Sequence, residues 1–196
     1  MTSPAEPPGN GVRSYRDLRD DVIRIRENVP GKLEISNGVI VHDPAAPNGL
    51  HELTAARISR RLEKVMPEGL LAHTGTAPDV EDVLQGVLRH PDVTVIAEAD
   101  MAADGPLDPR ALIAAIEVVS RSNPGNDWVG KIRDYPLLGV PVYAIFDLRT
   151  GSGAVLSDIR PTPSGPRYAM RKDFVYGEDV TIAEWTIPTG GLPRYS

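Results

Sequence analysis

Cysteine is absent from the 196 residues. That excludes disulfides, thiol nucleophiles and zinc–cysteine centres. Aromatic residues make up only 5%, too few for extended stacking platforms on single-stranded nucleic acid. No apolar run approaches the ~20 residues that span a bilayer. The stretch Met1–Gly11 is rich in Pro and Gly and lacks an apolar core, so it does not read as a secretory signal. The expected location is the cytoplasm, with no membrane partner. Positive charge is also in short supply, with 21 Lys and Arg against 27 Asp and Glu and a net charge of −6. A protein that grips nucleic acid over its whole surface is usually basic, so any such contact here must rest on local positive charge.

What is present is an ordinary globular composition, 41% hydrophobic and 24% charged, with length enough for one domain and its core. Residues 1–13 read as a disordered or extended tail and 14–196 as a single domain. Tyr15–Glu27 predicts a short helix. Lys32–Val41 predicts a hairpin, because Asn37-Gly38 flanked by apolar alternation is a strong turn signal. Asp43–Gly49 reads as a loop and Leu50–Val65 as a helix ended by Pro67, with Leu53, Ile58, Leu62 and Val65 along one side. Strands are expected over Leu70–Ala77, over Val87–Ala97 in one or two pieces around Pro91-Asp92, over Ala111–Val119 and over Val140–Asp147. Asp79–Leu84 reads as a polar turn and Glu98–Arg110 as a loop. A helix is expected from Asp127, a good N-cap, with Trp128, Ile132 and Tyr135 as its apolar stripe and Pro136 and Gly139 closing it. Further strands near Ala154–Asp158 and Arg167–Phe174 complete an α+β chain in which helices pack on a mixed sheet.

One residue breaks the most apolar of these strands. Glu117 stands inside Ala111–Val119, and a carboxylate in a dry core costs several kcal/mol unless it is paired or bound to a cation. Its place near the strand end lets the side chain reach a cleft at the sheet rim. Asp92 opens a second β-branched run, Asp92-Val-Thr-Val-Ile-Ala, in the same way. Two such acids suffice for Mg²⁺, which is held by one or two carboxylates, waters and phosphate oxygens. Lys131, near the start of the following helix, supplies a complementary ammonium on a different face from Trp128, Ile132 and Tyr135; at ~100° per residue it is well away from Trp128 and Ile132.

Asp92, then Glu117-Val-Val, then a lysine on the next helix, resembles the PD-(D/E)XK nuclease superfamily. The closer resemblance is to its Uma-two family of endonucleases. It is carried by "KLEISNGVIV", "HPDVTVIAEAD" and "AIEVVSRSNPGNDWVGKIRDYPLLGVPVYAIFDLRTG", over roughly residues 30–160. It implies a restriction-endonuclease-like mixed β-sheet core flanked by helices, with extra β-hairpins. It also implies Asp92 and Glu117 as ligands of Mg²⁺ or Mn²⁺, Lys131 as a displaced catalytic lysine, and Glu34 as an acid that completes the site. The superfamily's lysine is expected two residues after Glu117, where this chain has Val119. The implied activity is hydrolysis of nucleic-acid phosphodiester bonds, DNA before RNA, and the implied assembly a homodimer.

Plainer roles compete with these. Asp92 can cap a turn, Glu117 can pair with an arginine, Lys131 can be a solvated helix lysine, and Glu34 can be a strand-edge charge. Asp127 is better read as a cap than as a ligand, and His51 as a local hydrogen-bonding group at a helix start. Asp147 reads as a turn former before Arg149. Arg57, Arg60, Arg61 and Lys64 follow i, i+3, i+4, i+7 and make a positive stripe for nucleic acid, or else a solvated face balanced by Glu52 and Glu63. Two other functions stand against the nuclease. One is a catalytically inactive module of the same fold that binds nucleic acid or a protein; the other is a hydrolase of a small phosphorylated or glycosidic substrate.

Overall fold

The computed structural model describes residues 13–43, 49–75, 78–102 and 104–195. The expected tail lies outside them but for Arg13, as do 44–48 of the loop after Asp43 and 76–77 of the strand expected to reach Ala77. Helix α1 spans Tyr15–Arg26. Its N-terminus is closed by a capping box in which Ser14 and Asp17 satisfy each other's backbone N–H groups. The hairpin follows as β1 (Lys32–Ser36) and β2 (Val39–Asp43). Asn37 and Gly38 both take positive φ, 52° and 73°, as the tight hairpin turn requires. After α2 (Gly49–Glu63) come β3 (Leu70–Thr74), β4 (Val80–Asp82), β5 (Val87–Arg89) and β6 (Val93–Ala97).

Strand β7 (Leu112–Val118) leads into a widened π turn, Asn126–Lys131, that continues as α3 (Ile132–Leu137). Strands β8 (Tyr143–Asp147), β9 (Ser152–Arg160), β10 (Arg167–Val175), β11 (Asp179–Ile182) and β12 (Trp185–Pro188) follow. Strands β10-β9-β8-β7-β6-β3 form a six-stranded sheet, antiparallel except where β7 runs parallel to β8. Strands β2-β1-β5-β4 form a separate four-stranded sheet, and β11 pairs with β12. Pro91 thus divides a single apolar run between two sheets, with β5 in one and β6 in the other. No helix among the described residues is long and apolar enough to cross a membrane.

Period-two alternation gives each sheet its faces. On β7, Ala114, Ile116 and Val118 point to the core beneath α2, which also holds Ile58 and Leu62. Leu112, Ala115 and Val119 point to the core beneath α3, with Tyr135 and Leu138, and Glu117 lies in phase with this second set. On β1, Leu33 and Ile35 bury against Leu18 and Val22 of α1, so Lys32, Glu34 and Ser36 take the other face. Gly153 permits the close approach of β8 and β9 to Phe174, because a Cβ there would lie 2.0 Å from the Ile145 carbonyl oxygen.

Several local expectations are corrected. Leu53 and Val65 are 39% and 47% exposed, and α2 instead buries His51, Thr54, Ala55, Ile58 and Leu62. Asp79–Leu84 contains β4, whose partner β5 makes it a strand despite its acids. Pro136 lies inside α3, not at its end. The hairpin β11–β12, unread in the sequence, covers the core beneath α2 with Val180, Ile182 and Ile187.

Helix α1 is fastened to the small sheet by charge. Asp79 accepts from Arg26 at 2.9 and 3.2 Å and stands 2.9 Å from Nδ1 of His90. Burial opposes ionisation of Asp79, but His90 and Arg26 outweigh it and hold the carboxyl below its usual range. Its contribution to stability is therefore present above an ordinary Asp pKa of about 3.9 and is lost as pH falls through the lower folded value. Urea unfolding of Asp79→Asn at pH 7 should show a loss of ~1–3 kcal/mol, with the gap to the parent protein narrowing below pH ~4.

Candidate active site

The cleft opens where the ends of β6 and β7 meet β1 and the π turn. Val93 pairs with Ile116 in antiparallel register, so one further step sets Asp92 opposite Glu117. Strand β1 brings Lys32 and Glu34 across the gap. The π turn, by widening the helix, swings Asp127 and Lys131 inward. Gly130 leaves room there for Arg89, whose guanidinium would lie 3.3 Å from a Cβ at that position. The resulting cavity of about 60 Å³ is lined by, among others, Glu34, Asp92, Glu117, Asp127 and Lys131.

The ammonium of Lys131, 3% exposed, lies 2.9 Å from Glu117 Oε2, 2.9 Å from Asp127 Oδ1 and 3.7 Å from Glu34 Oε1. The other Glu117 oxygen accepts from the Tyr135 hydroxyl at 2.6 Å. Asp92 Oδ2 accepts the Val118 N–H at 2.7 Å and stands 3.1 Å from His51 Nε2, while Oδ1 takes the Lys32 ammonium. Glu34 is held by Arg89 at 2.7 Å, by the Asn126 amide at 2.8 Å and by the His90 N–H at 3.0 Å. Arg89 extends the network to Asp134, which also accepts from Ser36 at 2.6 Å.

These contacts divide the acids. Burial pushes every carboxyl upward, and the nearest cations decide how far each comes back. Lys131 and Arg89 bring Glu34 down to about 2. Lys32 and His51 hold Asp92 well below its usual range. For Glu117, burial and the neighbouring Asp92 charge outweigh the pull of Lys131 and leave it raised to about 8. Burial likewise raises Asp127 against Lys131. Burial opposes the charge on Lys131, yet Asp127, Glu117 and Glu34 hold it well above its usual value.

The structure therefore brings together all four residues expected at the site, Asp92, Glu117, Lys131 and Glu34. It corrects two other expectations. Asp127 caps nothing: the cap position is Gly125, and the Asp127 carboxylate is buried on Lys131. Lys131 does not stand apart from Tyr135: at i, i+4 the two lie about 40° apart around the helix, and both reach Glu117. Within the Arg57, Arg60, Arg61 and Lys64 stripe, Arg60 and Lys64 are exposed and the other two turn onto the C-terminal segment. Arg57 donates to the Gly191 carbonyl at 2.5 Å, and Arg61 to those of Pro188 and Gly190 at 2.5 and 2.8 Å. Asp147 does form the expected turn, accepting the Arg149 N–H at 2.9 Å. The sequence does not point to Lys32, Arg89, Asn126 or Asp134 as site residues, and it places Tyr135 only on the apolar stripe of its helix. The alternation Lys32/Glu34/Ser36 opposite Leu33/Ile35 was the one signal for Lys32.

The lining carries the five carboxylates of Glu34, Asp43, Asp92, Glu117 and Asp127 against Lys32, Arg121, Lys131 and His51. The carboxylate oxygens are hard donors, suited to Mg²⁺ or Mn²⁺ more than to softer metals. A divalent cation thus fits the donor type of these carboxylates. Among the described residues, however, no three His, Asp or Glu side chains form a ready-made metal cage. Lysine ammonium groups stand where such a cage would close.

With a mixed sheet, flanking helices and acids at its rim, this is a restriction-endonuclease-like α+β fold. The Uma2 family, described as "Putative restriction endonuclease", matches residues 18–181, and the chain belongs to it. A crystal structure from Anabaena variabilis ATCC 29413, described as a "putative nuclease belonging to DUF820", superposes with a TM-score of 0.60. It shares 16% identity over 80% of this chain and 86% of its own. No curated protein matches the chain at a significant level.

In metal-free buffer the native state holds a proton on Glu117 that the unfolded chain releases near its ordinary value of 4.5. Stability should therefore fall as pH rises from about 4.5 to about 8. Glu117→Gln should flatten that decline in urea unfolding curves recorded across the window.

Proposed function

We propose that the protein is a divalent-metal-dependent endonuclease that hydrolyses phosphodiester bonds, with DNA as its substrate. The observation that supports this most is the placing of Asp92 opposite Glu117 at one sheet rim, with the Lys131 ammonium 2.9 Å from Glu117. Family membership and the shared fold support the same reading. Asp92 and Glu117 are the residues that would hold the ion. A divalent ion there supplies positive charge at the phosphate and acidifies water.

The remaining work falls to the chain's own groups. His51, Lys32 and the Val118 N–H fix the Asp92 carboxylate. Tyr135 fixes one oxygen of Glu117 and leaves the other toward Lys131. Lys131 carries a full charge beside the cleft, placed to stabilise negative charge that develops on phosphate oxygens. Arg89 and Asn126 keep Glu34 ionised and directed at the same ammonium.

A second reading, a binding module that does not cut, draws on a specific observation: both acids already hold an ammonium, Asp92 that of Lys32 and Glu117 that of Lys131. Supercoiled-plasmid nicking separates the two. Asp92→Asn and Glu117→Gln should each reduce Mg²⁺-dependent nicking by ~10²-fold or more, with unchanged circular dichroism. Nicking that survives both substitutions would overturn the endonuclease reading. An inactive parent protein that binds no Mg²⁺ or Mn²⁺ in calorimetry would favour the module.

A further inference from the structure

A second cavity, of about 180 Å³, lies where three turns meet α3. Asn37 lines it from the β1–β2 turn, Gln85 from the β4–β5 turn and Ser164 from the β9–β10 turn. Arg133 of α3 and Arg167, the first residue of β10, line it with them. Among the described residues Asp134 is the only acid in the lining, and no lining residue is shared with the cleft that holds Asp92 and Glu117.

Positive charge here exceeds what the chain balances. The Asp134 carboxylate serves two guanidinium groups, accepting from Arg133 Nε at 2.7 Å and from Arg89 Nε at 3.1 Å. Arg89 has Glu34 as a second acid. Arg133 has no second acid among the described residues, and its Nη2 donates to the Ser36 hydroxyl at 2.6 Å. Arg167 has no carboxylate partner among them at all; its Nη1 donates to the Pro166 carbonyl at 3.3 Å. The β9–β10 register sets Arg167 directly opposite Arg160, and like charges so placed repel. Asp158 answers Arg160 at 2.9 Å and leaves Arg167 unanswered. The side-chain amides of Asn37 and Gln85 make no hydrogen bond among the described residues, and the Ser164 hydroxyl stands 3.2 Å from that of Thr162. Guanidinium forks with neutral N–H and O–H donors around them match the oxygens of a phosphate.

We propose that this cavity binds a phosphate group, held by Arg167 and Arg133, with Asn37, Gln85 and Ser164 donating around it. The phosphate supplies the negative charge that Asp134 alone does not. It belongs either to a nucleic-acid backbone or to a small phosphorylated molecule. The assignment is independent of the endonuclease reading, since it needs neither metal nor bond cleavage.

The test titrates the full chain with inorganic phosphate in EDTA at constant ionic strength, followed by ¹H–¹⁵N NMR. The amide signals of Asn37, Gln85, Ser164 and Gly165 should shift saturably, with a Kd on the order of 1 mM. Arg167→Gln should weaken that binding by about 5- to 10-fold, with its melting temperature recorded beside it. Fluorescence anisotropy with a labelled DNA duplex across a salt series, also in EDTA, separates the two sources. A slope of log affinity against log salt that falls by about one in Arg167→Gln identifies a backbone phosphate. Weakened phosphate binding with an unchanged slope, or with a parent protein that binds no DNA, identifies a small phosphorylated molecule. The proposal is overturned if phosphate shifts are absent or survive Arg167→Gln undiminished and the DNA arm shows no change of slope or no binding.

Discussion

The site depends on a single buried ammonium. Lys131 lies within 4 Å of Glu117, Asp127 and Glu34, each from a different element, in a place almost closed to water. Stripping water from a lysine and three carboxylates costs several kcal/mol per ion, and only close, well-satisfied contacts return it. The second set of contacts meets that demand. Tyr135 serves Glu117, while Arg89, Asn126 and the His90 N–H serve Glu34. Remove the ammonium and Glu117 and Asp127 lose the cation they share, while Glu34 keeps only Arg89. The strands β1 and β7 and the π turn are thus joined through charge at the point where their apolar faces end.

That arrangement also explains why the acids differ. Asp92 and Glu34 have cations on more than one side and stay ionised. Glu117 faces Asp92 across the β6–β7 pair and shares Lys131 with Asp127, so it is left easiest to protonate. A proton and the Lys131 ammonium can each satisfy Glu117. Among the described residues no three acids or histidines make a ready-made cage, and the Lys32 and Lys131 ammonium groups sit on Asp92 and Glu117 instead.

Much of this was legible in the chain. Asn37-Gly38 marks its hairpin because few other dipeptides accept positive φ at two successive positions. Glu117 stood out because period-two burial leaves no room for a charge in so apolar a strand, and Asp92 because it opens a similar run. Helical phase was less readable. The π turn at Asn126–Lys131 has no clear local signature, and within it Asp127 is a buried partner of Lys131 and not a cap. Arg89 belongs to a three-residue strand, too short for alternation to tell its face. Periodicity found the Arg57–Lys64 stripe but could not show that Arg57 and Arg61 turn onto carbonyls more than a hundred residues away.

The central claim is that Asp92 and Glu117 share one divalent ion beside Lys131. A crystal soaked in Mn²⁺ and measured at the manganese absorption edge tests it most directly. The account predicts one anomalous peak within coordination distance of both carboxylates, with Lys131 still in the cleft. A peak bound to neither acid, or no peak at millimolar Mn²⁺, would contradict it.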